Sequence, residues 1–156
     1  MERNALAELD MDLEEVTDTA AETQPLYPVV DNTKDYFIER DGVRYAGNHV
    51  LVELWDASNL DDPKLIEDAL LLGARDAGAT VLHSHFHHFS PYAGVSGVVV
   101  LAESHISIHT WPEKAYAAID IFMCGECDPH NALPSIKRAF APGEIEVQHH
   151  KRGVIK

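Results

Sequence analysis

The chain has 156 residues, of which 46% are hydrophobic, and this is enough for one domain with a hydrophobic core. Its 26 acidic and 12 basic residues give a formal net charge of −14, which argues against nucleic acid and anionic lipid as partners because both would be repelled. No run approaches the roughly 18 apolar residues of a membrane span, and the amino terminus lacks the pattern of a secretory signal. We therefore expect a cytoplasmic protein without nucleic-acid or membrane partners, and we interpret its two cysteines as thiols.

The amino-terminal segment differs from the rest of the chain in its charge. Residues 1–30 contain eight acidic residues and one basic residue. A short amphipathic helix is compatible with the leucine spacing, but a solvated or partly disordered arm is the simpler prediction. We place an acidic arm at residues 1–35 and a single domain at residues 36–156.

Local signals predict the first elements of this domain. The dipeptide Asp41-Gly42 indicates a hairpin turn, and the alternating run that follows, residues 48–57, is typical of a strand. Asp62 as N-cap and Pro63 in the first turn predict a helix that ends near Gly78. Its apolar face is expected to contain Leu65, Ile66, Ala69, Leu72 and Gly73.

The second half of the domain is predicted to be mainly strands. Four strands are expected at residues 79–89, 94–103, 104–110 and 116–124. A helix from Asp128 to Phe140, interrupted or tightened at Pro134, and a last strand at residues 144–150 complete the order β-α-β-β-β-β-α-β. This order predicts an α+β fold, a two-layer α/β sandwich whose antiparallel sheet has helices packed on one face.

Histidine is unusually frequent, with ten copies in the chain. His83, His85 and His87 alternate along one predicted strand and therefore share a face. Zn²⁺ accepts mixed nitrogen and sulfur ligands, so a metal site is one alternative; its further candidate ligands are His105, His109, Cys124, Cys127 and His130. We assign no metal, because structural sites usually contain two paired ligand motifs and "CGEC" stands alone.

The "CGEC" motif also resembles a redox dithiol. Such motifs open a helix directly after a strand, whereas here Cys124 ends a predicted strand and the helix starts only at Asp128. A single reactive thiol at Cys124 and a buried, inert thiol at Cys127 are the interpretation we favour.

The stretch "LAESHISIHTWPE" brings polar, reactive residue types into an apolar neighbourhood. Ser104 is predicted to begin a strand directly after Glu103, so its hydroxyl lies within reach of the preceding carbonyl. His109, five residues on, is expected to approach as a general acid or base, and Ser96 on the incoming strand supplies another hydroxyl. On composition alone, a polar turn with exposed histidines explains the same residues more simply.

The longer stretch "GVSGVVVLAESHISIHTWPEKAYAAIDIFMCG" resembles the processing and catalytic core of the bacterial S-adenosylmethionine decarboxylase proenzymes, a pyruvoyl-dependent family. The likeness covers about residues 47–153, and its "ESH-x-x-IHTWPE" motif is highly specific. The resemblance implies that Ser104 attacks the carbonyl of Glu103 and forms an ester. β-Elimination and hydrolysis then leave a pyruvoyl group derived from Ser104, a β chain of residues 1–103 and an α chain of residues 104–156.

The same resemblance implies the reaction and its residues. The pyruvoyl group, the implied cofactor, would form a Schiff base with S-adenosyl-L-methionine and accept the electron pair released with CO₂. The product, S-adenosylmethioninamine, supplies aminopropyl groups for spermidine biosynthesis. Cys124 matches the family's proton donor, His109 its proton acceptor in processing, and Ser96 a second processing residue.

Substrate binding and assembly are also implied by the resemblance. Phe89 matches an aromatic residue that stacks on the adenine, Glu113 matches an acid that binds the ribose hydroxyls, and Trp111 borders the same pocket. Family members bury this site between two protomers, so a homodimer of processed αβ units is expected. Two alternatives stay open: the same chemistry on arginine or ornithine, and a non-enzymatic, histidine-rich metal-binding protein.

Overall fold

The computed structural model describes residues 35–89 and 94–155. Apart from Asp35, the expected acidic arm of residues 1–35 lies outside the described residues, as does the loop 90–93. The described elements, in chain order, are β1 (Ile38–Arg40), β2 (Val43–Tyr45), β3 (Gly47–Trp55), α1 (Pro63–Asp76), β4 (Val81–Phe89), β5 (Gly94–Leu101), β6 (Ser104–Trp111), β7 (Tyr116–Met123), α2 (Leu133–Phe140) and β8 (Glu144–Arg152).

Six of the strands form one antiparallel sheet in the order β4-β5-β6-β7-β3-β8. Strands β1 and β2 pair separately as a hairpin, and Asp41 and Gly42 both adopt the positive φ values that a tight hairpin turn requires. Both α-helices contribute to the core that covers one side of the sheet. The expected α+β fold, with an antiparallel sheet and helices on one face, is confirmed.

Helix α1 begins where its capping residues predict. The Asp62 carboxylate accepts hydrogen bonds from the backbone N–H groups of Lys64 and Leu65, at 3.0 and 3.1 Å. Its buried residues are Ile66, Ala69, Leu70, Gly73 and Ala74. The expectation that Leu72 lies on this face is wrong, since Leu72 is 41% exposed and Leu70 is fully buried. Six residues after Ile66, Leu72 is turned about 240° around the helix axis.

The second predicted helix consists of two parts. Asp128 caps a 3-10 turn, Pro129–Ala132, and α2 follows with Pro134 in its first turn. The expected interruption or tightening near Pro134 takes the form of a change from a 3-10 turn to an α-helix, and only the expectation that the helix itself begins at Asp128-Pro129 is corrected. Proline lacks an N–H and is tolerated in a first turn, so it marks the start of α2 and does not interrupt its interior.

The two faces of the sheet differ in what covers them. Alternate residues of the central strands, among them Val52, Ile108 and Ile119, are buried beneath the helices. The opposite face, which we call the open face, bears no helix in the described parts of the chain. One row of cross-strand neighbours on it consists of His83, Val100, His105, Phe122, His49 and His150. No helix within residues 35–89 or 94–155 has both the length and the apolar character of a membrane span.

Candidate active site

The peptide bond between Glu103 and Ser104 lies at the end of a tight hairpin. Leu101 pairs directly with Ser104, which leaves only Ala102 and Glu103 to connect β5 to β6. The Ala102 N–H donates to the carbonyl oxygen of Thr80 at 2.9 Å, and the Glu103 carboxylate accepts the Thr80 N–H at 2.9 Å. These bonds attach the turn to the segment before β4, and Ser104 begins a strand as expected.

The backbone of Ser104 is strained. Its φ of 149° lies in the positive region that favours glycine, although serine carries a Cβ. A non-glycine residue in such a region costs about 1–3 kcal/mol and persists only where the surrounding structure holds it. Here the hairpin register, with Ser104 between Leu101 on β5 and Met123 on β7, provides that constraint.

The carbonyl oxygen of Glu103 accepts two hydrogen bonds from one residue. Cys124 donates its backbone N–H at 3.1 Å and its thiol at 3.0 Å. The pairing of Ser104 with Met123 places Cys124, the next residue, opposite Glu103. Two donors directed at one carbonyl oxygen polarise the carbonyl and stabilise negative charge that develops there.

The thiol of Cys124 has the protonation state that this contact needs. Burial raises its pKa, and the nearby Glu103 carboxylate raises it further, although a backbone hydrogen bond opposes the shift. The raised pKa keeps the thiol protonated at neutral pH. Cys124 is therefore a hydrogen-bond donor, which distinguishes it from an activated thiolate.

The hydroxyl of Ser104 also has a partner. Its Oγ lies 3.2 Å from Nδ1 of His105, whose ring makes an edge contact with Phe122 at 6.1 Å between centroids. We call Glu103, Ser104, His105 and Cys124 the cleavage cluster. It combines a nucleophilic hydroxyl, an imidazole and a polarised carbonyl around one peptide bond.

A cavity of about 710 Å³ lies at the opposite end of the β5-β6 hairpin. Its walls contain five of the residues expected to act in processing or substrate binding, which we call the pocket cluster: Phe89, Ser96, His109, Trp111 and Glu113. Ser96 pairs with His109 across the two strands, and Ser96 Oγ lies 2.7 Å from His109 Nδ1. This hydroxyl and imidazole form a second polar pair, separate from the cleavage cluster.

The two clusters do not meet within one chain. Ser104 and His109 are five positions apart on the same strand, which corresponds to about 16 Å at the usual rise of a strand. His109 therefore does not reach Ser104 within one chain, and its expected role in processing stays a prediction. A rigid strand cannot fold back on itself over five residues, and Ser96 is equally remote because it pairs with His109.

Next to the pocket cluster is an aromatic stack that the sequence interpretation missed. Tyr116 pairs with Trp111 across β6 and β7, and it stacks on Trp55 with ring centroids 4.3 Å apart. The Tyr116 hydroxyl donates to Glu53, and burial together with this carboxylate raises the pKa of Tyr116 to about 12. The sequence did contain a signal for this stack, since aromatic residues stand at the ends of three strands. Which of these residues contact one another depends on the order of the strands in the sheet.

The candidate metal ligands remain dispersed. In the ranges that the structure describes, no three His, Cys, Asp or Glu side chains are grouped as a metal would require. His83, His85 and His87 are exposed side chains of β4. Neither cysteine is disulfide-bonded; Cys124 directly follows β7, as expected, and Cys127, expected to be buried, is only partly so.

Comparison with known proteins decides the family. Residues 48–153 match the family model described as S-adenosylmethionine decarboxylase. The chain belongs to the S-adenosylmethionine decarboxylase family. A protein named S-adenosylmethionine decarboxylase proenzyme from Acidithiobacillus ferrooxidans is 45% identical over 116 residues, which are 72% of this chain and 86% of that protein. A protein of the same name from Methanococcus maripaludis is 47% identical over 117 residues, which are 73% of this chain and 95% of that protein.

A solved structure agrees with this family. The adenosylmethionine decarboxylase from Aquifex aeolicus superimposes with a TM-score of 0.65 and 36% identity, covering 72% of this chain and 94% of that one. The expected family, fold and enzyme class are thus confirmed. The cleavage cluster and the pocket cluster both lie within the matched residues 48–153.

Proposed function

We propose that this chain is a proenzyme that cleaves itself between Glu103 and Ser104 and then decarboxylates S-adenosylmethionine. The observation that carries the proposal is the double contact from Cys124 to the Glu103 carbonyl, at 3.1 and 3.0 Å. It prepares one particular peptide bond for attack. The strained φ of Ser104 on the other side of that bond supports the same conclusion, because rearrangement of the bond relieves strain.

Self-cleavage needs only groups of the chain itself and water. The Ser104 Oγ attacks the carbonyl carbon of Glu103, and the C–N bond breaks as the nitrogen takes up a proton, which leaves an ester and a free amine. Loss of the Ser104 Cα proton then expels Glu103 as a carboxylate. The remaining dehydroalanine tautomerises to an imine, and water hydrolyses it to the pyruvoyl group with release of ammonia.

The residues of the two clusters fit the roles expected for decarboxylation. A pyruvoyl group supplies a ketone that forms a Schiff base with the substrate amine and takes up the electrons left by CO₂. Cys124, with its protonated thiol, is the proposed donor of the proton that the product carbon needs. The product would be S-adenosylmethioninamine, used in spermidine biosynthesis, and a cytoplasmic location stays a prediction.

The cavity suits the proposed substrate. S-Adenosylmethionine carries a sulfonium cation, an adenine and a ribose. Phe89 and Trp111 offer aromatic faces for stacking and for the cation, and the Glu113 carboxylate is an acceptor for ribose hydroxyls. Phe89 is 52% exposed in the single chain, so its ring is free to contact a ligand.

A homodimer of αβ units completes the proposal. The pocket cluster and the cleavage cluster lie about 16 Å apart along β6, yet the proposed reaction uses residues of both. A second copy related by a twofold axis would place its pocket cluster beside the first copy's cleavage cluster, and the reverse. The open face, which includes the exposed Val100, is the surface we assign to this contact.

Intact-mass spectrometry of freshly purified protein tests the proposal. We expect two fragments that separate before residue 104, with the larger ending in a normal carboxyl group. The smaller should resist Edman degradation and gain mass after treatment with phenylhydrazine, and the preparation should release CO₂ from carboxyl-labelled S-adenosylmethionine. A single full-length chain that resists phenylhydrazine yet still releases CO₂ would overturn the proposal.

The same preparation separates the alternatives. Arginine and ornithine, labelled in the carboxyl group, test whether the pyruvoyl chemistry serves another amino acid. An uncleaved chain that binds one equivalent of zinc would instead support the metal-binding alternative. We expect CO₂ from S-adenosylmethionine alone.

A further inference from the structure

We propose that His105 is the catalytic base that takes the hydroxyl proton from Ser104 during self-cleavage. This inference rests on the proposed self-cleavage and adds a residue that the sequence interpretation did not assign. It starts from one distance, the 3.2 Å between Ser104 Oγ and His105 Nδ1. With its proton on Nε2, the imidazole presents a lone pair at Nδ1 to the attacking hydroxyl.

The position of the His105 ring is supported by its neighbours. The ring is partly buried and makes an edge contact with Phe122, its direct partner on β7. Phe122 in turn contacts His49 at 5.6 Å between ring centroids. The two ring nitrogens of His49 are hydrogen-bonded to Asp120 and Arg152. This row of packed rings holds the His105 imidazole beside the Ser104 hydroxyl, in a position suited to proton transfer between the two.

The surroundings of Ser104 assign complementary tasks to two residues. His105 contacts the nucleophile, and Cys124 contacts the oxygen of the carbonyl that is attacked. His109 has neither role in the same chain, because it is about 16 Å along the strand and is bonded to Ser96. The first step of self-cleavage can therefore use groups of a single chain.

The chemical step balances with these groups. His105 takes the proton from Ser104 Oγ while the new C–O bond forms at the Glu103 carbonyl carbon. The resulting oxyanion keeps the two hydrogen bonds that the Glu103 carbonyl oxygen accepts from the backbone N–H and the thiol of Cys124. The imidazolium then returns its proton to the departing nitrogen of Ser104, so that the C–N bond breaks and a neutral ester and amine result.

Pulse-chase labelling in a cell-free translation system tests this role, because it follows self-cleavage from a fresh precursor. We expect His105→Ala to slow chain cleavage by about 10²-fold or more, the usual contribution of a general base. His105→Gln, which keeps a hydrogen-bond acceptor but cannot take up a proton, should be equally slow. His130→Ala is the matched control, since His130 is an exposed histidine in the 3-10 turn Pro129–Ala132, on the helix side of the sheet and away from the open face.

Hydroxylamine locates the blocked step, because it cleaves esters and leaves amides intact. If His105 acts in ester formation, hydroxylamine should not restore cleavage of the His105 variants.

The outcomes separate the two proposals. Wild-type precursor that never cleaves before Ser104 would overturn self-cleavage itself. Wild-type cleavage together with a wild-type rate in His105→Gln, or with rapid hydroxylamine cleavage of that variant, would overturn only the role of His105. Thermal melting of the isolated variants detects a folding defect, and if His105→Ala melts early, the His105→Gln result decides.

Discussion

Cys124 contacts the carbonyl oxygen of Glu103 through both its backbone N–H and its thiol, although 20 residues separate them in the chain. Strand β7 makes this contact possible by pairing with β6, so that its last residue is opposite Ser104 and the next is opposite the turn. The thiol can be removed by mutation while the N–H remains. The two donors can therefore be separated experimentally.

Replacing Cys124 by alanine should slow self-cleavage without abolishing it. One of two donors to the developing oxyanion is lost, and removal of a single such donor typically costs about 10²-fold in rate. Cys124→Ser, which keeps a donor at the same place, should cleave faster than Cys124→Ala. Matured Cys124→Ala protein should also lose decarboxylation or misplace the product proton. Undiminished decarboxylation by that variant would remove Cys124 from the reaction.

The protonation state of Cys124 can be measured in an uncleaved background. The double variant Ser104→Ala/Cys127→Ser contains Cys124 as its single cysteine. Because burial and Glu103 raise the pKa of this thiol, its alkylation by iodoacetamide should rise with pH later than that of free cysteine in the same assay. A Glu103→Gln change should move the curve back towards lower pH. A midpoint below that of free cysteine would contradict the burial argument.

Mixed dimers test the proposed sharing of the site between two chains. Ser104→Ala lacks the nucleophile, and His109→Ala lacks the imidazole that we assign, from the partner chain, to loss of the Ser104 Cα proton after ester formation. Each chain expressed alone should therefore remain uncleaved or nearly so. When they are co-expressed with different tags, the mixed dimer has one site with an intact Ser104 from one chain and an intact His109 from the other. We expect only the His109→Ala chain to be cleaved, as seen on a gel for each tag. Complete absence of cleavage in the mixture would argue against a shared site.

Glu113 should affect substrate binding and leave processing unchanged. Glu113→Gln replaces a charged hydrogen-bond acceptor by a neutral amide, a loss of about 1.5–3 kcal/mol where the bond forms, or about 10- to 150-fold in KM for S-adenosylmethionine. Self-cleavage should proceed at the wild-type rate. Glu144→Gln, at the exposed start of β8, is the matched control. An unchanged KM in Glu113→Gln would exclude the ribose contact.

Thr110 connects the wall of the cavity to the loop before α1. Its buried hydroxyl donates to the Leu60 carbonyl at 2.7 Å and accepts the Val95 N–H at 2.8 Å. Thr110→Val leaves both backbone groups without this partner, so we expect the free energy of unfolding to fall by about 2–4 kcal/mol. Urea unfolding in a Ser104→Ala background, in which the chain should stay uncleaved, measures this change in the free energy of unfolding. Thr80→Val, at an exposed threonine, should stay within about 0.5 kcal/mol.

Local features of the sequence predicted much of the fold. The Asp62 cap, the Asp41-Gly42 turn and the alternation along β3 each depend on neighbours a few residues away, and the structure contains all of them. The apolar face of α1 was partly wrong at Leu72, and the segment after Asp128 begins as a 3-10 turn where a helix was expected, because adjacent leucines and prolines near a helix start are ambiguous without their packing partners.

The sequence by itself determined the family, through the motif around Ser104, and the order of strands and helices. Only the tertiary structure decided which reactive groups meet. It brought Cys124 to Glu103, it oriented the ring of the adjacent His105 towards the Ser104 hydroxyl, and it placed His109 and Ser96 about 16 Å away with the cavity. The physical reason is that alternation assigns a side chain to a face of a strand, whereas the neighbours on that face depend on the strand order β5-β6-β7, which distant parts of the chain establish together.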